Sequence, residues 1–170
     1  MNDQNKIILI GFMGSGKTTL AKKLAKKLNR SFYDLDQEIE AKEHLIIPQI
    51  FEEKGEEYFR TIESEALKII LAKEEPFILS VGGGTPCFYG NMELINTSGV
   101  SIYLKYNAGI LASRLINSKV KRPLIKGLNE IELKEFITNK LSERETFYKE
   151  CNFTLAGNNL KVEDLLLLLQ

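Results

Sequence analysis

Two periods of apolar residues divide the chain. "KIILI" (6–10) is an unbroken apolar run closed by Gly11, the pattern of a strand buried on both faces. From Lys17 the period lengthens: Leu20, Leu24 and Leu28 recur every four residues while Lys22, Lys23, Lys26 and Lys27 face water, as in an amphipathic helix. "SFYDLD" (31–36) predicts a second short strand. Pro48, after "LII", suits the first turn of a helix that Gly55 is expected to end. A further helix is predicted from about residue 56 to 73, with Phe59, Ile62, Ala66 and Ile69 on its buried face. "FILSV" (77–81) and "VSIYL" (100–104) are two more apolar strands. Helical patterns follow over 107–117 and 129–150, then a weak strand at "NFTLA" and an apolar C-terminal helix.

Strands alternating with helices predict an α/β fold, a parallel sheet covered on both faces. Ligands of such sheets bind beyond the carboxyl ends of the strands. Gly11 and Gly82 each follow a strand, so two glycine-rich turns should share one edge of the sheet. The second, "SVGGGTP" (80–86), places three glycines in a row, which gives away backbone entropy and contributes no side chain to a core. Something must approach the main chain closely there.

The 170 residues are typical of one domain, and 23 basic against 23 acidic side chains give a formal net charge of zero. That balance argues against a general nucleic-acid or membrane-surface binder. No apolar stretch approaches the ~20 residues of a membrane span, and the N-terminus lacks a signal-type cleavage site. The expectation is a cytoplasmic protein with reduced Cys87 and Cys151. His44 is the single histidine, which excludes a His-rich metal site.

"GFMGSGKT", Gly11 to Thr18, fills the G-x-x-x-x-G-K-[ST] pattern between a predicted strand and a predicted helix. Its glycines let successive backbone N–H groups turn onto an anion, and the helix N-terminus adds partial positive charge. Gly14, Ser15, Gly16, Lys17, Thr18 and Thr19 are therefore the predicted phosphate-binding residues. Lys17 would reach the β- and γ-phosphates and the Thr18 hydroxyl would coordinate Mg²⁺. A GTPase switch, an ATPase motor and a small-molecule kinase all share this loop. The chain is short for a motor and lacks an N/T-K-x-D guanine signature.

Asp34 and Asp36 of "DLD" lie two apart, so along an extended chain both carboxylates point toward the nucleotide edge. One would hold waters around Mg²⁺ and the other would take the proton of an attacking hydroxyl. In "GEEYFRTIE", Arg60 and Glu63 are three apart on a helix: either a surface ion pair or a guanidinium oriented for a substrate carboxylate. "SKVKRPLIKG" gathers Lys119, Lys121, Arg122 and Lys126, as a solvated loop or as a closing lid that brings cations to a phosphoryl group. Arg144 in "SERETFY" lies on a long predicted helix.

In order, these segments resemble the shikimate kinase family, whose pattern runs GxxGxGK[ST], DxDxxIE, GxxxFRxxE, GGG, RPL and ExRxxxY. The likeness extends from the N-terminus to about residue 150. It implies a single three-layer P-loop kinase domain over 1–170: a five-stranded parallel sheet flanked by helices, a substrate-binding helical segment at about 35–62 and a small mobile lid at about 112–128. It further implies ATP as co-substrate, Mg²⁺, shikimate as acceptor at its 3-hydroxyl, and a monomer.

Residue by residue, the resemblance makes Asp36 the group that binds the acceptor hydroxyls and assists deprotonation, and Asp34 the carboxylate near the magnesium waters. Arg60 and Arg144 become the clamp on the substrate carboxylate, with Glu63 orienting Arg60. Gly82, Gly83 and Gly84 lie against the acceptor ring, Arg122 crosses onto the ATP phosphates and Arg114 stacks on adenine. Phe51 and Phe59 match aromatics of the acceptor pocket. Ala21 and Lys22 stand where the family often has glycine and arginine, and the stretch between Arg114 and Arg122 is one residue longer. Rival readings are a gluconate-type kinase, a nucleoside monophosphate kinase and a nucleotide-binding module without catalysis.

Overall fold

A computed structural model describes residues 5–118, 125 and 127–170. Five strands form one parallel sheet: β1 (Lys6–Ile10), β2 (Ser31–Asp34), β3 (Phe77–Ser80), β4 (Val100–Lys105) and β5 (Phe153–Ala156), in the order β2-β3-β1-β4-β5. Among the described residues, seven helices connect or cover them: α1 (Lys17–Leu28), α2 (Leu35–Glu43), α3 (Ile47–Leu71), α4 (Asn91–Ser98), α5 (Ala108–Ile116), α6 (Glu130–Tyr148) and α7 (Val162–Leu168). A 3₁₀ turn spans Thr85–Cys87. This is the α/β, five-stranded parallel arrangement expected from the sequence.

Consecutive residues of β1, from Ile7 to Ile10, are all at most 1% exposed. Because successive side chains point to opposite faces, that run requires cover on both sides of the sheet. Each such aliphatic side chain contributes about 1.5–3 kcal/mol of burial. β1 lies between β3 and β4, so the loop after it leaves from the middle of the sheet's carboxyl edge. Leu9 pairs with Ser80 in β3, which puts the glycine turn after β3 beside the glycine loop after β1. The two elements of interest are therefore neighbours by strand register.

Three expectations change in detail. The second strand stops at Asp34 instead of running through "DLD", because the Asp34 carboxylate accepts a hydrogen bond from the Gln37 amide and caps α2. Asp34 and Asp36 thus belong to a strand end and a first helical turn, not to one extended segment. Gly55 (φ 83°, ψ 170°) is non-helical and ends the first helical segment of α3 as expected, and a second segment starts directly after it. Ile69 is 60% exposed while Ile70 is 2% exposed, since the buried stripe of α3 passes through Ala66, Leu67, Ile70 and Leu71. Helix α4 had no counterpart among the predicted elements; Asn91 and Thr97 break its short apolar pattern. Among the described residues, no helix is long and apolar enough to cross a membrane.

Candidate functional site

The loop after β1 folds over the start of α1. Gly14 (φ 81°) and Gly16 (φ 83°) adopt left-handed backbone, which costs glycine little and other L-residues more. Gly16 is the N-cap of α1, so the first amides of that helix face the loop. Lys17 is only 8% exposed. Its Nζ donates to the carbonyls of Gly11 (2.8 Å) and Phe12 (2.9 Å) and to Ser15 Oγ (3.4 Å), holding an ammonium inside the ring of amides. A cavity of about 500 Å³ opens there. Gly14, Gly16, Lys17, Thr18 and Thr19 line it together with Asp34, Asp36, Ser80, Gly82, Gly83 and Arg114. Ser15 is buried beneath.

Three elements converge on one oxygen cluster in this cavity. The Thr18 hydroxyl donates to Asp34 Oδ2 at 2.7 Å and lies 3.2 Å from Ser80 Oγ. Hydroxyl and carboxylate oxygens without nitrogen or sulfur form a donor set suited to a hard cation that keeps several waters. Ser80 had not been singled out; the clue was a polar residue ending the apolar strand "FILS".

Asp36 faces the same cavity from the first turn of α2. Burial pushes its carboxyl up to about 6, with the nearby charges of Asp34 and Glu63 adding to the rise and Lys17 opposing it. The group is ionised at neutral pH yet more basic than an ordinary aspartate.

The glycine triplet answers a spatial demand. None of its three residues is among the positive-φ glycines, so the turn geometry alone does not require them. A Cβ on Gly82 would lie 3.0 Å from Thr85 Oγ1, 3.1 Å from Glu63 Oε1 and 3.3 Å from Asp36 Oδ1. On Gly83 it would meet an Arg144 guanidinium nitrogen at 3.2 Å, and on Gly84 the two terminal nitrogens of Arg60 at 2.7 and 2.8 Å. The space that glycine leaves is filled by the protein's own charged side chains.

Arg60 is 8% exposed and Glu63 1%, which excludes a solvated surface pair. Arg60 donates to Glu63 Oε2 at 2.8 Å and to Glu56 Oε1 at 3.3 Å, and its guanidinium stacks 4.3 Å from the Phe88 ring. Phe59 and Phe51 lie 5.1 and 6.0 Å from it; they flank the arginine and do not line the cavity. Arg144 lies 5.4 Å from the Phe12 ring. One turn later on α6, the Tyr148 hydroxyl donates to the Gly83 carbonyl. Arg60, Gly84 and Arg144 border the glycine turn without lining the cavity.

Arg114 does line it, stacked 4.2 Å from the Tyr106 ring and donating to the Ser15 carbonyl at 3.4 Å. Arg122, with Lys119, Lys121 and Lys126, lies outside the described residues, as does most of the expected lid beyond α5. Thr85, Phe88, Tyr106 and Tyr148 were not read as site residues. Only Tyr148 carried a signal, its i+4 spacing from Arg144.

A family model described as shikimate kinase matches residues 13–167. The chain belongs to the shikimate kinase family. A shikimate kinase of Azobacteroides pseudotrichonymphae is 46% identical over 95% of this chain and 95% of that protein. The crystal structure of the shikimate kinase from Bacteroides thetaiotaomicron superposes with a TM-score of 0.92 at 38% identity, covering 96% of this chain and 97% of that one. A shikimate kinase from Acinetobacter baumannii in complex with shikimate gives a TM-score of 0.84 at 34% identity, covering 94% and 87%. These shikimate kinases span nearly all of the chain, and the fold is shared throughout.

The raised Asp36 pKa bears on the stability of the ligand-free protein. Below about pH 3 the carboxyl is protonated in both folded and unfolded chains. As pH rises from about 4 to 6 the unfolded chain releases a proton that the folded chain retains, so this group's contribution to stability falls. Asp36→Asn removes that penalty. Urea titrations should show the variant gaining about 2 kcal/mol on wild type between pH 4 and pH 7.5; a difference independent of pH would contradict the assignment.

Proposed function

We infer that the chain transfers the γ-phosphoryl group of ATP to the 3-hydroxyl of shikimate, giving ADP and shikimate 3-phosphate on the route to chorismate and the aromatic amino acids. The observation that carries this reading is the glycine turn. It brings a carboxylate of raised basicity, Asp36, and two arginines, Arg60 and Arg144, against the wall of a phosphate-loop cavity. A hydroxy acid needs both a group for its hydroxyl proton and cations for its carboxylate.

In this reading the amides of Gly14 to Thr19 and the Lys17 ammonium hold the β- and γ-phosphates. The Thr18 hydroxyl and the Asp34 carboxylate, 2.7 Å apart, would hold Mg²⁺. When bound, the cation neutralises charge on the transferring phosphates. Asp36 orients the 3-hydroxyl and takes its proton as the oxygen attacks phosphorus. Arg60 and Arg144 fork onto the shikimate carboxylate, placing the ring against Gly82 and Gly83. Arg114, stacked on Tyr106 at the cavity rim, offers a flat cation for the adenine. Arg122 is assigned to the phosphates on the family pattern alone.

The direct test is ADP release with Mg-ATP when shikimate, gluconate or a nucleoside monophosphate is offered separately. Turnover is expected with shikimate only. Turnover with gluconate, or ATP binding without acceptor-dependent turnover, would sink the reading. Arg60→Ala should then raise the shikimate KM by roughly 10²-fold, since a buried charged hydrogen bond is lost, and leave the ATP KM within about 2-fold. An equal rise in both would remove the clamp role.

A further inference from the structure

Behind the glycine turn lies a closed ring of buried hydrogen bonds that the reaction as described does not use. Glu63, 1% exposed, presents both carboxylate oxygens to fixed donors: Oε2 accepts from Arg60 at 2.8 Å and Oε1 from the Thr85 hydroxyl at 2.7 Å. Thr85 is 0% exposed and fixed at three points. Its hydroxyl engages Glu63, its amide donates to the Gly82 carbonyl at 3.1 Å, and its carbonyl accepts from Asn91 Nδ2 at 3.0 Å. Asn91, also fully buried, accepts from Ser64 Oγ at 2.8 Å. Ser64 follows Glu63 in α3, which closes the ring through α3, α4 and the 3₁₀ turn.

The last torsion of a glutamate is broad and lacks sharp staggered wells. Arg60 alone, bonded to one oxygen, leaves that carboxylate free to rotate about the bond. A second donor on the other oxygen fixes the carboxylate plane, and with it the place of Oε2, the oxygen to which Arg60 donates. The ring also reaches the cavity wall, since Thr85 Oγ1 and Glu63 Oε1 both stand about 3 Å from the Cβ position of Gly82. A rotation of Glu63 would be felt at Arg60 and on the wall that carries Asp36.

Resting on the kinase reading above, we propose that Thr85 is a positioning residue for acceptor recognition: its hydroxyl sets the plane of Glu63 and so aims Arg60 at the substrate carboxylate. Ser64 and Asn91 hold Thr85 in place. Thr85 is not a catalytic residue, because it acts through Glu63.

The test compares Thr85→Val, which keeps shape and loses the donor, with Thr85→Ser, which keeps the donor. Shikimate and its carboxamide are used as acceptors at saturating Mg-ATP. Thr85→Val should raise the shikimate KM about 10-fold, leave the ATP KM within about 2-fold, and reduce the preference for shikimate over the carboxamide. Thr85→Ser should restore most of that preference. If the second methyl of valine is not accommodated, Thr85→Ala carries the same readout. An unchanged preference in a soluble donor-less variant, even one of lowered Tm, overturns the proposal by reducing Thr85 to a packing role. Absence of shikimate turnover in the unsubstituted protein would overturn the kinase reading, and this proposal with it.

Discussion

Close approach of charged side chains to the backbone of residues 82–84 is the constraint on which the site depends. A parallel sheet brings the ends of β1 and β3 side by side, but strand register alone yields only two adjacent loops. Removing three Cβ atoms from the second loop lets Arg60, Arg144, Asp36 and Glu63 come within about 3 Å of where those atoms would stand. The loops thereby acquire a floor of fixed charge. Tyr148 ties the same turn to α6 through the Gly83 carbonyl, so the helix that carries Arg144 is held in register with the turn it contacts.

Such a floor is expensive to build. Desolvating a guanidinium and a carboxylate costs several kcal/mol per ion, and their attraction offsets this only when geometry is good and remaining polar atoms are bonded. Here the condition is met in detail: Glu63 has a donor on each oxygen, and Arg60 has Glu63, Glu56 and the Phe88 face. The buried pair is therefore better understood as geometry held ready for a ligand than as a source of stability. Asp36 shows the same trade, since its charged form is disfavoured in the fold and, in the proposed reaction, serves to accept a hydroxyl proton.

Much of this was legible in the residues. "KIILI" ending in glycine and the Leu20, Leu24, Leu28 spacing placed the phosphate loop between strand and helix, because apolar period and turn chemistry agree there. The family resemblance assigns Asp36, Arg60 and Arg144 to one acceptor site, and the structure brings all three against the glycine turn although they lie far apart in sequence. Local reasoning failed where a tertiary partner decides. Asp34 caps a helix instead of continuing a strand, Ile69 faces water because the buried stripe runs one residue on, and Thr85 looks like any turn threonine until Glu63 is found beside it. The family resemblance sets the glycines against a ligand; in the structure Glu63 and Asp36 stand against Gly82, Arg144 against Gly83 and Arg60 against Gly84. No periodicity encodes that distance.

The most direct measurement of the central claim is the kinetics of Gly84→Ala. A methyl group there would stand 2.7 Å from the Arg60 guanidinium, and the flexible end of that side chain can move while the backbone stays. The account predicts a folded protein with Tm within a few degrees of wild type, about a 10-fold or larger rise in shikimate KM, and little change in ATP KM. Unaltered shikimate kinetics in that variant would contradict the claim that these glycines exist to seat the clamp.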